Sequence, residues 1–120
     1  MVVTNILKNN MASALAQETY VVPSYMLFST SSDEPGADST ELDGETGSRL
    51  LMSKHKSDNE VDYNALRLAS SIIEPTGDLL KIVGSSTEET GGFLMTAKVI
   101  PGITQTTNFD IDATIKIRFE

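Results

Sequence analysis

From residue 109 onward apolar and polar side chains alternate almost without a break. Phe109, Ile111, Ala113, Ile115, Ile117 and Phe119 share one parity; Asp110, Asp112, Thr114, Lys116, Arg118 and Glu120 share the other. Successive side chains of an extended chain point to opposite faces, so this spacing predicts a long strand over 109–120, apolar inward and charged outward. A strand wet on one face belongs to an antiparallel sheet, because parallel strands are covered on both sides.

The rest of the chain is weaker in pattern but consistent. Thr4 suits a helix N-cap, and Leu7, Met11, Ala14 and Leu15 follow at helical spacing, predicting a short amphipathic helix over Asn5–Gln17. Tyr20–Thr30 is rich in β-branched and aromatic residues and reads as a strand, at an edge near Pro23. Ser29–Ser48 then reads as a long acidic loop: Asp33, Glu34, Asp38, Glu41, Asp43 and Glu45 occur without a basic residue, and Leu42 is its one large apolar side chain. An apolar run over Arg49–Ser53 leads to an exposed turn at Lys54–Asn59. Val61, Tyr63 and Ala65 alternate with polar neighbours until the apolar phase jumps to Leu66 and Leu68, the mark of a β-bulge. Pro75–Asp78 signals a turn, Leu79–Val83 a strand, Gly84–Gly92 a polar loop carrying Glu88 and Glu89, and Phe93–Ile100 a strand ended by Pro101-Gly102. About six strands and one helix in 120 residues predict a mainly β single domain over 1–120, an antiparallel β-sandwich with a short N-terminal α-helix and a long acidic loop.

Composition narrows the function. Without Cys there is no disulfide, thiol nucleophile or Cys-based metal site. A formal net charge of −8 disfavours nucleic acid as a partner. No stretch approaches the roughly 20 apolar residues that cross a bilayer, and residues 1–16 lack the pattern of a signal peptide, so no membrane partner is expected.

No pattern of residues specifies an enzyme. His55 is the single histidine and sits between Lys54 and Lys56, where an exposed residue is expected rather than an oriented catalytic imidazole. The acidic loop has the hard oxygens calcium needs, but counting an EF-hand from Asp38 places Leu42 where a ligand belongs. Asp110 and Asp112 share their strand face with Lys116 and Arg118, which favours a solvated or inter-subunit charge ladder over a carboxylate dyad. Gly91-Gly92 is too short for a phosphate loop. No catalytic residue, cofactor, metal or small-molecule substrate is therefore expected. What remains is charge placement. Two readings stay open: the acidic loop of one copy docks on the basic turn or strand face of a neighbour, near Arg49, Lys54 and Lys56, giving a head-to-tail homo-oligomer such as a ring or trimer, or the loop is a floppy, solubilising one.

Taken in order, these segments resemble a family of small tailed-bacteriophage structural proteins found among tail and tail-fibre components. The likeness rests on the N-terminal helix; on Tyr25–Phe28 running into Ser29-Thr30-Ser31, where the family has Gly-Thr-Gly; and on Asp38, Leu42 and Glu45 with Arg49 beyond. It continues through Leu79–Gly84, Gly91-Gly92-Phe93, Ile100-Pro101-Gly102-Ile103 and the closing strand. The resemblance implies a virion component of the tail, baseplate or neck, made in the host cytoplasm, that works by assembling with itself and with other virion proteins. A capsid decoration protein is the alternative within that class. A ligand- or carbohydrate-binding β domain is the alternative outside it, disfavoured by the absence of Trp.

Overall fold

The computed structural model describes residues 1–68, 79–106 and 110–119. The expected turn at Pro75–Asp78 and the two ends of the closing strand, Phe109 and Glu120, lie outside them. In chain order the elements are β1 (Val2–Val3), α1 (Asn5–Leu15), β2 (Tyr25–Ser29), β3 (Glu45–Leu51), β4 (Ser53–Ser57), β5 (Glu60–Arg67), β6 (Leu79–Ser86), β7 (Leu94–Thr104) and β8 (Ile111–Arg118). They form two antiparallel sheets, ordered β1-β7-β6-β2-β3 and β4-β5-β8, and the fold is mainly β and sandwich-like. The six strands expected from sequence are all present, joined by β1 and β4.

The helix begins as its sequence dictates. Thr4, fully buried, accepts a hydrogen bond through Oγ1 from the Leu7 amide at 3.4 Å and donates to the Leu94 carbonyl at 2.7 Å. Its backbone amide donates to the Met95 carbonyl at 2.9 Å, so the cap also fastens α1 to β7. The helix ends at Leu15, two residues before the expected Gln17, because Gln17 takes a left-handed conformation (φ 58). The Glu18 amide then bonds the Ser13 carbonyl and the Gln17 amide the Ala14 carbonyl, the Schellman arrangement. Leu15, expected on the apolar side, is 89 % exposed as a result.

The main core lies between the sheets. Met26, Phe28, Leu80, Val83 and Met95 from the larger sheet meet Tyr63, Ala65, Ile111, Ile115 and Ile117 from the smaller, with Leu7 of α1 and Met52 closing the cluster. A second cluster, Leu27, Leu42, Ile82, Leu94 and Ala97, covers the outer face of the larger sheet. Two bulges make both faces apolar. Ser85 pairs with Thr96 but Ser86 with Leu94, so Met95 is the extra residue, and Leu94 and Ala97 share the outer face although three apart. A second shift between Leu80 and Ile82 likewise sends those two to opposite clusters. The alternation that the sequence suggests for Phe93–Ile100, with Phe93, Met95, Ala97 and Val99 inward against Thr96 and Lys98, is therefore corrected: Phe93 and Val99 are exposed, while Leu94 and Thr96 are buried. Nor do Pro101 and Gly102 end β7, which stays paired with β6 as far as Thr104.

In β5 the expected bulge is absent. The strand pairs with β8 in unbroken register from Glu60 to Arg67, Leu66 and Leu68 are exposed, and Arg67 takes the inward position at 4 % exposure. The phase jump in the sequence is a buried arginine occupying an apolar slot. Its guanidinium donates to the Gln105 side-chain oxygen and, at 2.6 Å, to the Ser48 carbonyl, linking β5 to β3 of the other sheet. Burial lowers its pKa from the ordinary arginine value.

Candidate functional site

The acidic loop is built into the domain. It crosses the outer face of the larger sheet with Leu42 buried in the second cluster. The Asn5 amide donates to the Ala37 carbonyl at 2.8 Å, Asn5 Nδ2 to Asp38 Oδ1 at 2.6 Å, and the Leu94 amide to the Thr40 carbonyl at 2.8 Å. Ser29 Oγ donates to the Asp43 carbonyl, and Gly44 at φ 70 turns the chain into β3, which starts at Glu45, inside the expected loop. Glu34 accepts a hydrogen bond from the Val99 amide at 3.3 Å. Asp33 and Glu41 are exposed on the loop surface.

The expected basic cluster divides. Arg49 forms a bidentate pair with Glu45, Nε to Oε2 at 2.7 Å and Nη2 to Oε1 at 2.9 Å. Its Nη1 donates to Ser86 Oγ and to the carbonyls of Glu88 and Gly91, at 2.9 and 2.6 Å for the carbonyls. These bonds staple the β3 edge to the loop between β6 and β7, and the hydrogen bond from Glu45 raises the Arg49 pKa. Glu88 and Glu89 are exposed on that loop, the former offering its carbonyl and not its carboxylate. Arg49 is thus committed within its own chain. Lys54 and Lys56 lie on β4, not in a turn; only Asp58-Asn59 turns, with Asp58 at φ 51.

Register makes the lysines more informative. Lys54 stands opposite Tyr63 and Lys56 opposite Val61, on the parity that faces the core in β5 and β8, yet both lysines are exposed. Charges at inward positions of an edge strand obstruct further pairing. On the outer face His55, Asp62 and Lys116 form one cross-strand row, and Ser57, Glu60 and Arg118 the next. Glu60 bonds the Arg118 guanidinium and lies 3.7 Å from Lys116 Nζ. These cations, Arg118 first, hold the Glu60 carboxyl below its ordinary pKa. Asn64 Nδ2 donates to Asp112 Oδ1 at 2.7 Å, and Asp110 is exposed just before β8.

Among the described residues, the opposite side of the sandwich is open. β8 is the other edge of the smaller sheet, and beyond Ala97 the two-residue β1 no longer covers β7. Between the exposed stretches of β7 and β8 runs a groove of about 540 Å³, with Phe28, Val83, Ile111 and Ile115 inside and Lys98, Asp112 and Lys116 among its polar lining. Sequence alternation found the β8 face; it missed the groove, because no local pattern records how far β1 extends. Among the described residues, no cluster of three or more His, Asp or Glu side chains could hold a metal ion. Comparison with protein-family models, curated proteins and solved structures gave no match.

Proposed function

We propose that this chain is an assembly module, a β-sandwich whose work is to present strand edges and charged faces to other proteins. The observation that carries this reading is the apolar groove between two incompletely covered edges, which offers both backbone pairing and buried apolar contact to another β element. Within that class, the segment-by-segment resemblance to small tailed-phage structural proteins favours a virion component of the tail, baseplate or neck, multimeric and in contact with neighbouring virion proteins or fibres.

Particles purified from the virus encoding the chain should contain it at a fixed copy number by quantitative mass spectrometry. Its absence from washed particles would overturn the virion role. Electron microscopy of those particles with a tagged chain separates the tail, baseplate and neck from the capsid surface, where label would favour the decoration alternative.

A further inference from the structure

We propose that β8 pairs antiparallel with β8 of a second copy across a two-fold axis centred on Thr114. The inference rests on the assembly reading and deepens it by naming the partner of one edge, argued chiefly from strand register and charge.

β8 is an edge strand with its apolar residues Ile111, Ile115 and Ile117 turned into the core and its polar residues turned out. In antiparallel self-pairing, residues of like parity oppose one another when outer faces match, so allowed registers differ by steps of two residues. Centred on Thr114, Asp112 faces Lys116 of the second copy and Asp110 faces Arg118, and the symmetry repeats both pairs. All four charges of the ladder then meet the opposite sign. A register step of two residues moves the centre by one: at Ala113 or Ile115 one of the two acid–base pairs is kept and Asp112 or Lys116 faces Thr114 instead, while at Asp112 or Lys116 like charges meet on the axis. Opposite charges directly across a ladder stabilise pairing and like charges oppose it, so the pattern selects one register as well as one partner. An isologous contact of this kind requires a self-complementary patch, and the order acid, acid, Thr114, base, base along β8 supplies it.

The groove supports the same occupant. It opens beside β8, and a second sheet continuing from that edge would cover its mouth and join the two cores. β4, the remaining edge of the smaller sheet, carries Lys54 and Lys56 at inward positions and is unsuited to that contact. Glu60 holds Lys116 and Arg118 over the outer face, which orders them before association.

Analytical ultracentrifugation of the purified chain tests the pairing, with thermal melting to confirm that each variant is folded. The wild type should sediment at twice the 13.0 kDa chain mass and dissociate more readily as salt is added. Asp112→Lys alone, or Lys116→Asp alone, places like charges opposite one another twice per dimer and should weaken association about tenfold. The double variant Asp112→Lys/Lys116→Asp restores opposite signs across the axis and should recover most of the affinity. A strictly monomeric wild type, or a folded single variant that dimerises as tightly as wild type, would overturn the proposal. So would failure of the folded double variant to recover. A monomer found in washed particles would sink the pairing and leave the virion reading intact; a dimer whose chain is missing from particles would do the reverse.

Discussion

The guanidinium carbon of Arg67 lies 4.7 Å from the centroid of the Phe28 ring, so a buried cation stacks on an aromatic face between the two sheets. Gly47, at φ 72, passes directly over the same guanidinium: a Cβ there would sit 2.8 Å from Arg67 Nη1. Arginine is usually pliant, but this one is fixed by Phe28, Gln105 and the Ser48 carbonyl. Arg67→Met should cost about 2–3 kcal/mol, because it removes a charged donor's hydrogen bonds to the buried Gln105 side chain and the part-buried Ser48 carbonyl. Gly47→Ala should cost about 1–2 kcal/mol through its left-handed backbone, with a steric part added. Because only the steric part depends on Arg67, Gly47→Ala should cost less in the Arg67→Met background, a coupling of at least about 0.5 kcal/mol measurable by urea denaturation of all four proteins.

Thr4 acts at once as helix cap and as rivet to β7. Thr4→Val keeps the shape but leaves the Leu7 amide without its cap and the Leu94 carbonyl without its donor. The loss should be about 1–3 kcal/mol, with amide exchange accelerated most in the first turn of α1. Equal acceleration across β5 and β8 would contradict the local role.

The anchoring of the acidic loop makes it sensitive to one side chain. Leu42→Ser removes its apolar anchor from the outer cluster and should weaken the loop's attachment by about 1.5–3 kcal/mol. The domain should still melt cooperatively while a glutamate-specific protease cuts after Glu41 faster than in the wild type. Unchanged cleavage would mean that the backbone hydrogen bonds at Ala37 and Thr40 suffice.

Glu60 gives the fold a pH dependence of definite sign. Its pKa is depressed in the folded state, chiefly by Arg118, so its contribution is fully present above the ordinary glutamate value of about 4.3 and is lost as pH falls through the lower folded value. Wild type should therefore melt above Glu60→Gln at neutral pH, with the two curves converging in acid. A gap that widens on acidification would contradict this sign.

Strand content was legible in the chain because β8 has one dry face and one wet one, and Ile115 lies buried where alternation put it. The phase of β5 was not, because a buried arginine reads as polar until Phe28 and Gln105 are seen around it. β4 was hidden for a related reason: Ser53–Ser57 is exposed throughout and owes its extended form to pairing with β5, a long-range effect that composition does not register. The anchoring of the acidic loop to its own domain was not legible either. Leu42, Thr40 and Ala37 find partners on α1 and β7, and Arg49 is satisfied by Glu45 and two carbonyls, contacts that no spacing rule joins.

If β8 pairs as proposed, the lysines of β4 leave the smaller sheet a valence of one. A sheet with two receptive edges can add copies at either end and grow into a fibre. With Lys54 and Lys56 obstructing one margin, the proposed pairing of β8 consumes the other edge that the described residues leave to the sheet, and growth of that sheet would then terminate at six strands. Any larger particle built from such pairs must then be held together through other surfaces.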